Sequence, residues 1–295
     1  MRGFLPAVAA AATGIQVGAA IVATRFVIGE TAPASLALLR YAIGLLCLVP
    51  PLALAGRTRI ASRDLLPIGL LGVVQFGVLI ALLNYGLQLV PSARAALLFS
   101  TFPLLTIVVG MVLGEERPTT AKTAGVLLTI AGVAFALGEK GLGAGGAHDE
   151  WRGEVAVLSS ALAGAVCSVL YRPYLRRYPT LPVSAFAMLA AVAFLAMLAV
   201  REGFYDAVPR FTIHGWVAVA FIGVSSGVGY YLWLWALART TPTRVTVFLG
   251  LSPITAAALG AWVLGEPVSA GLAAGLACVL LGLWIAHRGP ASGVR

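Results

Sequence analysis

One pattern occurs twice in this chain, and it narrows the architecture more than any other feature. Leu113-Gly114-Glu115 closes an apolar stretch that holds Pro103, and about 150 residues later Leu264-Gly265-Glu266 closes another that holds Pro253. Before each copy stand a Leu-rich step and a basic residue, Leu87 to Arg94 and Leu237 to Arg244. After each comes one more apolar segment. Self-similarity over such a period means one structural unit used twice. In a membrane, two copies of one bundle point to transport, with the site at the seam between them.

The membrane follows from composition. Of 295 residues, 60% are hydrophobic and 11% charged, against roughly 25% charged in a soluble domain. Apolar runs of about 20 residues, the length that crosses a bilayer core, recur throughout. They are rich in Leu, Ala, Gly and Val without strict alternation, so they read as helices rather than barrel strands. The expectation is an all-α membrane protein with ten transmembrane helices, over 4–23, 34–55, 65–87, 92–113, 119–137, 153–171, 182–200, 214–238, 243–264 and 268–287. Pro stands at or near several starts (Pro91, Pro118, Pro182, Pro242, Pro267), where its missing N–H loses no helical bond. The Gly-rich, charged stretch from Gly138 to Arg152 reads as a linker. This divides the chain into a first repeat (1–138), a linker (139–152), a second repeat (153–288) and a tail (289–295). The apolar N-terminus resembles a signal sequence, but its run continues past Ala20, so it reads as a retained first helix.

Basic residues orient the bundle. The N-terminus and the connections after even-numbered segments hold Arg2, Arg57, Arg59, Arg63, Arg117, Lys122, Arg172, Arg176, Arg177, Arg239, Arg244, Arg288 and Arg295. The opposite side holds Arg25, Arg94, Lys140, Arg152, Arg201 and Arg210, and Arg40 lies inside a segment. The richer side is cytoplasmic, so both termini are expected there, in a multi-pass protein of the cell inner membrane. Each half has five segments, an odd number. The second copy therefore enters the bilayer from the other side, and the repeat is inverted, with alternating access between two related gates. The small-x-x-x-small spacings Gly14/Gly18, Gly110/Gly114, Gly223/Gly227 and Gly271/Gly275 support close helix packing. They do not specify a dimer, and a monomer is expected.

The same inventory excludes other classes. The net charge of +9 is explained by the cytoplasmic loops, with no nucleic acid partner implied. Cys47, Cys167 and Cys278 lie far apart in apolar runs without metal spacing, and His148, His214 and His287 sit at segment ends or in a loop. No catalytic constellation, metal set or cofactor motif is visible. No Asp or Glu lies well inside a segment, which disfavours proton-for-cation exchange.

The pattern from Leu87 through Pro103 to Leu113-Gly114-Glu115, with a Gly-rich final helix (Gly125, Gly132), resembles the EamA domain of the drug/metabolite transporter superfamily. Arg40, after Pro33 and Leu38-Leu39, also matches a position where that family carries Arg. The resemblance covers the whole chain as two units and implies a ten-helix transporter of small metabolites, commonly outward. In layout and size the chain is similar to amino-acid exporters of the YddG type. A neighbouring branch, the small multidrug transporters, resembles a design around a carboxylate in the first helix, where this chain has Thr13 and Gln16.

A transport site needs polar or aromatic groups facing a cavity. Ser226, Tyr230 and Trp233 share one face of the eighth segment, with Tyr231 beside them, and read as a wall for an apolar or aromatic solute. An interfacial aromatic belt is the plainer alternative. Gln16, Gln75 and Tyr85 are further cavity candidates, although an interhelical bond satisfies a Gln equally well. Arg40, roughly 10 Å into its segment at 1.5 Å per residue, could hold a substrate carboxylate or reach Glu30, Glu266 or lipid phosphate. A structural or gating role is favoured for it, and a hinge role for Pro103 and Pro253. Glu115 and Glu266 read as caps on the following helices. The resulting expectation is an exporter of small metabolites, most simply amino acids with aromatic or apolar side chains, working in the lipid bilayer. A multidrug or other metabolite permease is the alternative within this fold. An intramembrane enzyme is the alternative outside it.

Overall fold

The computed structural model of the chain describes residues 4–54, 59–114, 119–142, 150–206, 209–239, 245 and 247–288. Those residues form helices and turns, without a strand. The helices are α1 (Phe4–Val27), α2 (Pro33–Leu54), α3 (Ser62–Gly72), α4 (Leu79–Leu89), α5 (Ser92–Phe99), α6 (Phe102–Val112), α7 (Thr120–Leu142), α8 (Glu150–Leu170), α9 (Arg172–Arg177), α10 (Thr180–Arg201), α11 (Ile213–Leu237), α12 (Leu251–Leu264) and α13 (Ala270–Arg288). Seven continuous stretches are long and apolar enough to cross a membrane, and three shorter apolar helices accompany them. Helix α7 runs on to Leu142 and α8 begins at Glu150. The interval between them is thus shorter than the 139–152 linker read from composition. Glu150 opens its helix because a carboxylate suits a helix N-terminus.

Two kinds of irregularity shape the bundle. A π-helical stretch, Val73–Val78, joins α3 to α4 within one span, and such bulges gather at functional sites. The span around Pro103 is broken: α5 stops at Phe99, Ser100 and Thr101 turn, and α6 starts at Phe102. Pro103 sits in the first turn of α6. Pro253 likewise follows a 3-10 turn, Val247–Gly250, in the first turn of α12. Neither proline kinks a helix from within. Each occupies the place where its missing N–H has no helical partner to lose.

The repeated Leu-Gly-Glu is a helix stop. Gly114 and Gly265 have φ of 71° and 66°. A Cβ at either would meet nothing within 4 Å, so the left-handed backbone and not crowding requires glycine there.

The packing is two-fold symmetric. α1 lies on α11 as α8 lies on α4, and α1 on α12 as α8 on α6; α2 and α7 pack on their own equivalents, α10 and α13, and α5 packs on α12 where the two broken spans meet. These equivalent pairs run antiparallel. Glu202, at the end of α10, reaches Ala34 at the start of α2, while a Cβ on Gly44, further along, would meet Met188. Gly132 faces Gly275 and Gly282 faces Gly125. The two-fold axis is therefore perpendicular to the helices, and the repeat is inverted. Gly223 and Gly227 let α11 close on α2, where a Cβ at Gly227 would fall 2.6 Å from the Gly44 carbonyl oxygen. Large apolar side chains such as Leu54, Ile213 and Trp262 stand exposed on the outside, the surface that lipid covers.

Candidate substrate cavity

A cavity of about 90 Å³ lies at the seam between the halves. Its polar wall consists of Thr13, Gln16, Arg40, Gln75, Ser226 and Tyr230. The rest is apolar: aliphatic side chains such as Val17, Leu79 and Leu249, and the rings of Tyr41, Phe76, Phe99, Phe102 and Trp233. The rings form two chains, edge-on at each contact except the tilted pair Phe99 and Phe102. Tyr41 meets Phe76 at 4.8 Å and Phe76 meets Tyr230 at 4.1 Å between centroids. Phe99 lies 5.5 Å from Phe102, which lies 6.0 Å from Trp233. Edge-to-face contacts of this kind contribute about 0.5–1.5 kcal/mol each beyond area burial. The volume is well below the roughly 300 Å³ at which ligand pockets begin, so these rings must part before a metabolite fits.

The polar groups reach the cavity from four elements: α1, α2, the π-helical stretch and α11. Arg40 on α2 is 8% exposed, and its Nε donates to Ser226 Oγ on α11 at 2.6 Å. Ser226 Oγ donates in turn to the Ile222 carbonyl at 2.5 Å, which leaves its lone pairs turned to the arginine. Gln16 Nε2 on α1 donates to Ser225 Oγ at 3.1 Å. Gln75 comes from the π-helical stretch, and its Oε1 is buried with no hydrogen-bond partner. The Tyr230 hydroxyl is also buried with no hydrogen-bond partner.

Of the residues picked out from the sequence, Gln16, Gln75, Ser226, Tyr230 and Trp233 converge here, and Arg40 joins them on the same wall. Tyr85 and Tyr231 do not line the cavity: Tyr85 is 39% exposed, and Tyr231 packs half-buried against the core. Asn84 donates to the Pro33 carbonyl at 2.9 Å, while Ser100 and Thr101 bond back to Leu97 and Leu98. The same two carbonyls also accept the Ser100 and Thr101 amides at 3.1 Å, so these hydroxyls are spent on the turn at the helix break. The rings of Tyr41, Phe76, Phe99 and Phe102 were not expected. Helices apolar on every side carry no periodicity to mark an inner face. The usable signal was adjacency, since Phe99 and Phe102 flank the Ser100-Thr101 break and Tyr41 and Phe76 follow Arg40 and Gln75.

The two ends of the cavity are tied across the seam by different groups. At one end Glu202 accepts from the Ala34 and Ser35 amides at 2.9 and 2.7 Å and from Ser35 Oγ at 2.7 Å, capping α2. Glu30 accepts from Thr212 N at 2.9 Å and Thr212 Oγ1 at 3.2 Å, at the start of α11. Glu266 accepts from the Ser92 amide at 3.1 Å and from its hydroxyl, capping α5, and lies 3.8 Å from Arg25. Glu266 thus caps a helix of the other half and not the helix after it. A cap was expected, but the partner is brought close by the fold alone. Glu115 lies outside the described residues. Arg94 adds ion pairs to Glu150 and Glu154 at 3.5 and 3.6 Å. At the opposite end Asp64 accepts from Tyr178 at 2.5 Å and from Arg177 at 3.1 Å.

An inverted repeat of apolar helices around a seam cavity defines a membrane carrier. The sequence comparisons agree: the EamA-like transporter family matches residues 4–138 and 151–287, and the chain belongs to that family. It is a multi-pass inner-membrane transporter for small molecules. A probable terminal-alkyne amino-acid exporter of Streptantibioticus cattleyicolor is 30% identical, with 84% of this chain and 83% of that protein covered. An uncharacterized transporter of Archaeoglobus fulgidus is 25% identical over 92% of this chain and 94% of its own. The aromatic amino acid exporter YddG of Ancylobacter novellus is 30% identical over 50% of each chain. A solved crystal structure superimposes with a TM-score of 0.71 at 25% identity, covering 94% of this chain and 98% of that one.

Proposed function

We propose that this transporter exports amino acids with aromatic or apolar side chains by alternating access. In this reading the seven long and three shorter apolar helices make ten spans, as inverted five-helix repeats over 1–138 and 153–288. The 139–152 linker joins them, the tail is 289–295, both termini are cytoplasmic and the unit is a monomer. The end tied by Glu30, Glu202 and Glu266 then faces outward.

The observation that carries the substrate class is the cavity wall. Six aromatic rings from both halves suit an apolar or aromatic side chain. Amides, hydroxyls and one arginine suit the polar end of a zwitterion. Acidic residues are missing from that wall, which removes the usual attraction for a cationic drug. A single arginine is too little charge for a sugar nucleotide or phosphate ester. The amino-acid exporters among the relatives support the same class. In the cycle, the rings separate toward one side at a time, and the breaks before Pro103 and Pro253 supply symmetric hinges.

Purified protein in liposomes preloaded with L-phenylalanine tests the reading by counterflow. Uptake of labelled phenylalanine, with competition by leucine and tryptophan, is expected. Absence of flux for every amino acid tried would sink it.

A further inference from the structure

The arginine in the cavity wall lacks a counter-charge. A guanidinium stays protonated and offers five N–H donors. Arg40 uses one of them, the Nε–H given to Ser226. Among the described residues no carboxylate lies against it. The acids within conceivable reach are committed elsewhere: Glu30 to Thr212, Glu266 to Ser92 and Arg25, Glu202 to the start of α2. The face of the Tyr41 ring, 5.6 Å from Arg40 Cζ, is the guanidinium's other partner; a buried charge without a counter-ion is costly in a protein interior and in a bilayer alike. Folds keep one where a ligand supplies the missing partner.

Its surroundings aim it at such a ligand. Ser226 is itself oriented by its bond to Ile222, so the Nε edge of the guanidinium is fixed against α11. Arg40 lines the cavity, and its Nη groups make no hydrogen bond among the described residues. A planar fork of N–H groups matches a carboxylate in two parallel bonds. The same cavity holds an acceptor with no donor, Gln75 Oε1.

We propose that Arg40 binds the carboxylate of the transported molecule, and that Gln75 Oε1 receives its ammonium group. The assignment rests on the amino-acid reading above and sharpens it. The carrier selects free carboxylates and passes over amides and amines with the same side chain. Ser226 is the positioning residue that presents the guanidinium.

Competition in the counterflow assay tests this. Phenylalanine is expected to compete on the order of 10- to 100-fold better than phenylalaninamide, the range of a charge-assisted hydrogen-bond pair. Arg40→Gln should lower phenylalanine to the level of the amide, and Arg40→Lys should keep part of the preference. Equal competition by amide and acid in the wild type overturns the assignment while leaving amino-acid transport standing, and so does a folded Arg40→Gln that still discriminates. If Arg40→Gln does not fold, the wild-type ratio alone decides. If no amino acid is transported, the amino-acid reading fails by itself. Arg40 is then judged by thermal stabilisation with 3-phenylpropionate: a shift in the wild type that Arg40→Gln loses upholds it, and no shift overturns it.

Discussion

Two places in the molecule are related by the inverted repeat and solved with different chemistry. The end of α1 meets the start of α11 at Glu30 and Thr212, and the end of α9 meets the start of α3 at Tyr178 and Asp64. The two-fold axis exchanges these contacts. In the first, the carboxylate belongs to the helix that ends, and it caps the helix that begins. In the second, the carboxylate belongs to the helix that begins, and Tyr178 and Arg177 come to it. A symmetric backbone thus carries unsymmetric ties. The first end adds Glu202 on α2 and Glu266 on α5, so three helix N-termini there are held by acids from the opposite half. If the two ends act as gates, their side chains and not their shared shape set how easily each opens.

The comparison breaks most readily at Glu202. Glu202→Ala removes the acceptor for two amides and a hydroxyl, a loss of about 1–2 kcal/mol by the usual scale of helix caps. The form open at that end should rise on the order of tenfold, since 1.4 kcal/mol is a factor of ten. The measurement is thiol labelling of Leu83→Cys, in a background without Cys47, Cys167 and Cys278, by an impermeant reagent on the Glu202 side. An unchanged rate would show that the caps do not govern this gate. Glu266→Gln keeps an acceptor for Ser92 but loses the charge facing Arg25 and the helix end, roughly 0.3–1 kcal/mol. A two- to fivefold increase in the same labelling is expected, and high salt should blunt the difference. Tyr178→Phe takes one donor from Asp64 at a partly exposed site, where such ties are weak. It should raise labelling from the other side by about threefold or less. A larger response than that of Glu202→Ala would reverse the ranking of the two ends. Last come Pro103→Ala and Pro253→Ala. Their first-turn positions predict stability within about 0.5 kcal/mol of the parent, so slower turnover would report on motion. Undiminished transport in both would remove the hinges.

Much of this was legible in the sequence because it depends on counting. Segment lengths imply helices in lipid, and five segments per half imply inversion. The inversion now stands on antiparallel contacts such as Gly132 with Gly275. The repeated glycine of Leu-Gly-Glu was equally readable as a frame element, and its left-handed φ in both copies explains why it recurs. What stayed hidden depends on rotation about helix axes and on contacts distant in sequence. Tyr85 looked like a cavity residue and turns outward, because an all-apolar helix does not announce its inner face. Glu266 looked like a local cap, and Ser92, its partner, is 174 positions away. The π-helical stretch that brings Gln75 and Phe76 to the cavity has no composition of its own.

Arg40 also places a fixed positive charge within the membrane's electric field. Moving one elementary charge across the whole field is worth about 2.3 kcal/mol per 100 mV, and under the proposed alternating access the guanidinium would pass through a fraction of that drop. A zwitterion adds no net charge, so the outward and return strokes move the same charge in opposite senses. Voltage then speeds one stroke and slows the other while the complete cycle remains electrically silent. Such a carrier would show a transmembrane potential in its turnover rate and in transient charge movements, and not in how steep a substrate gradient it can sustain.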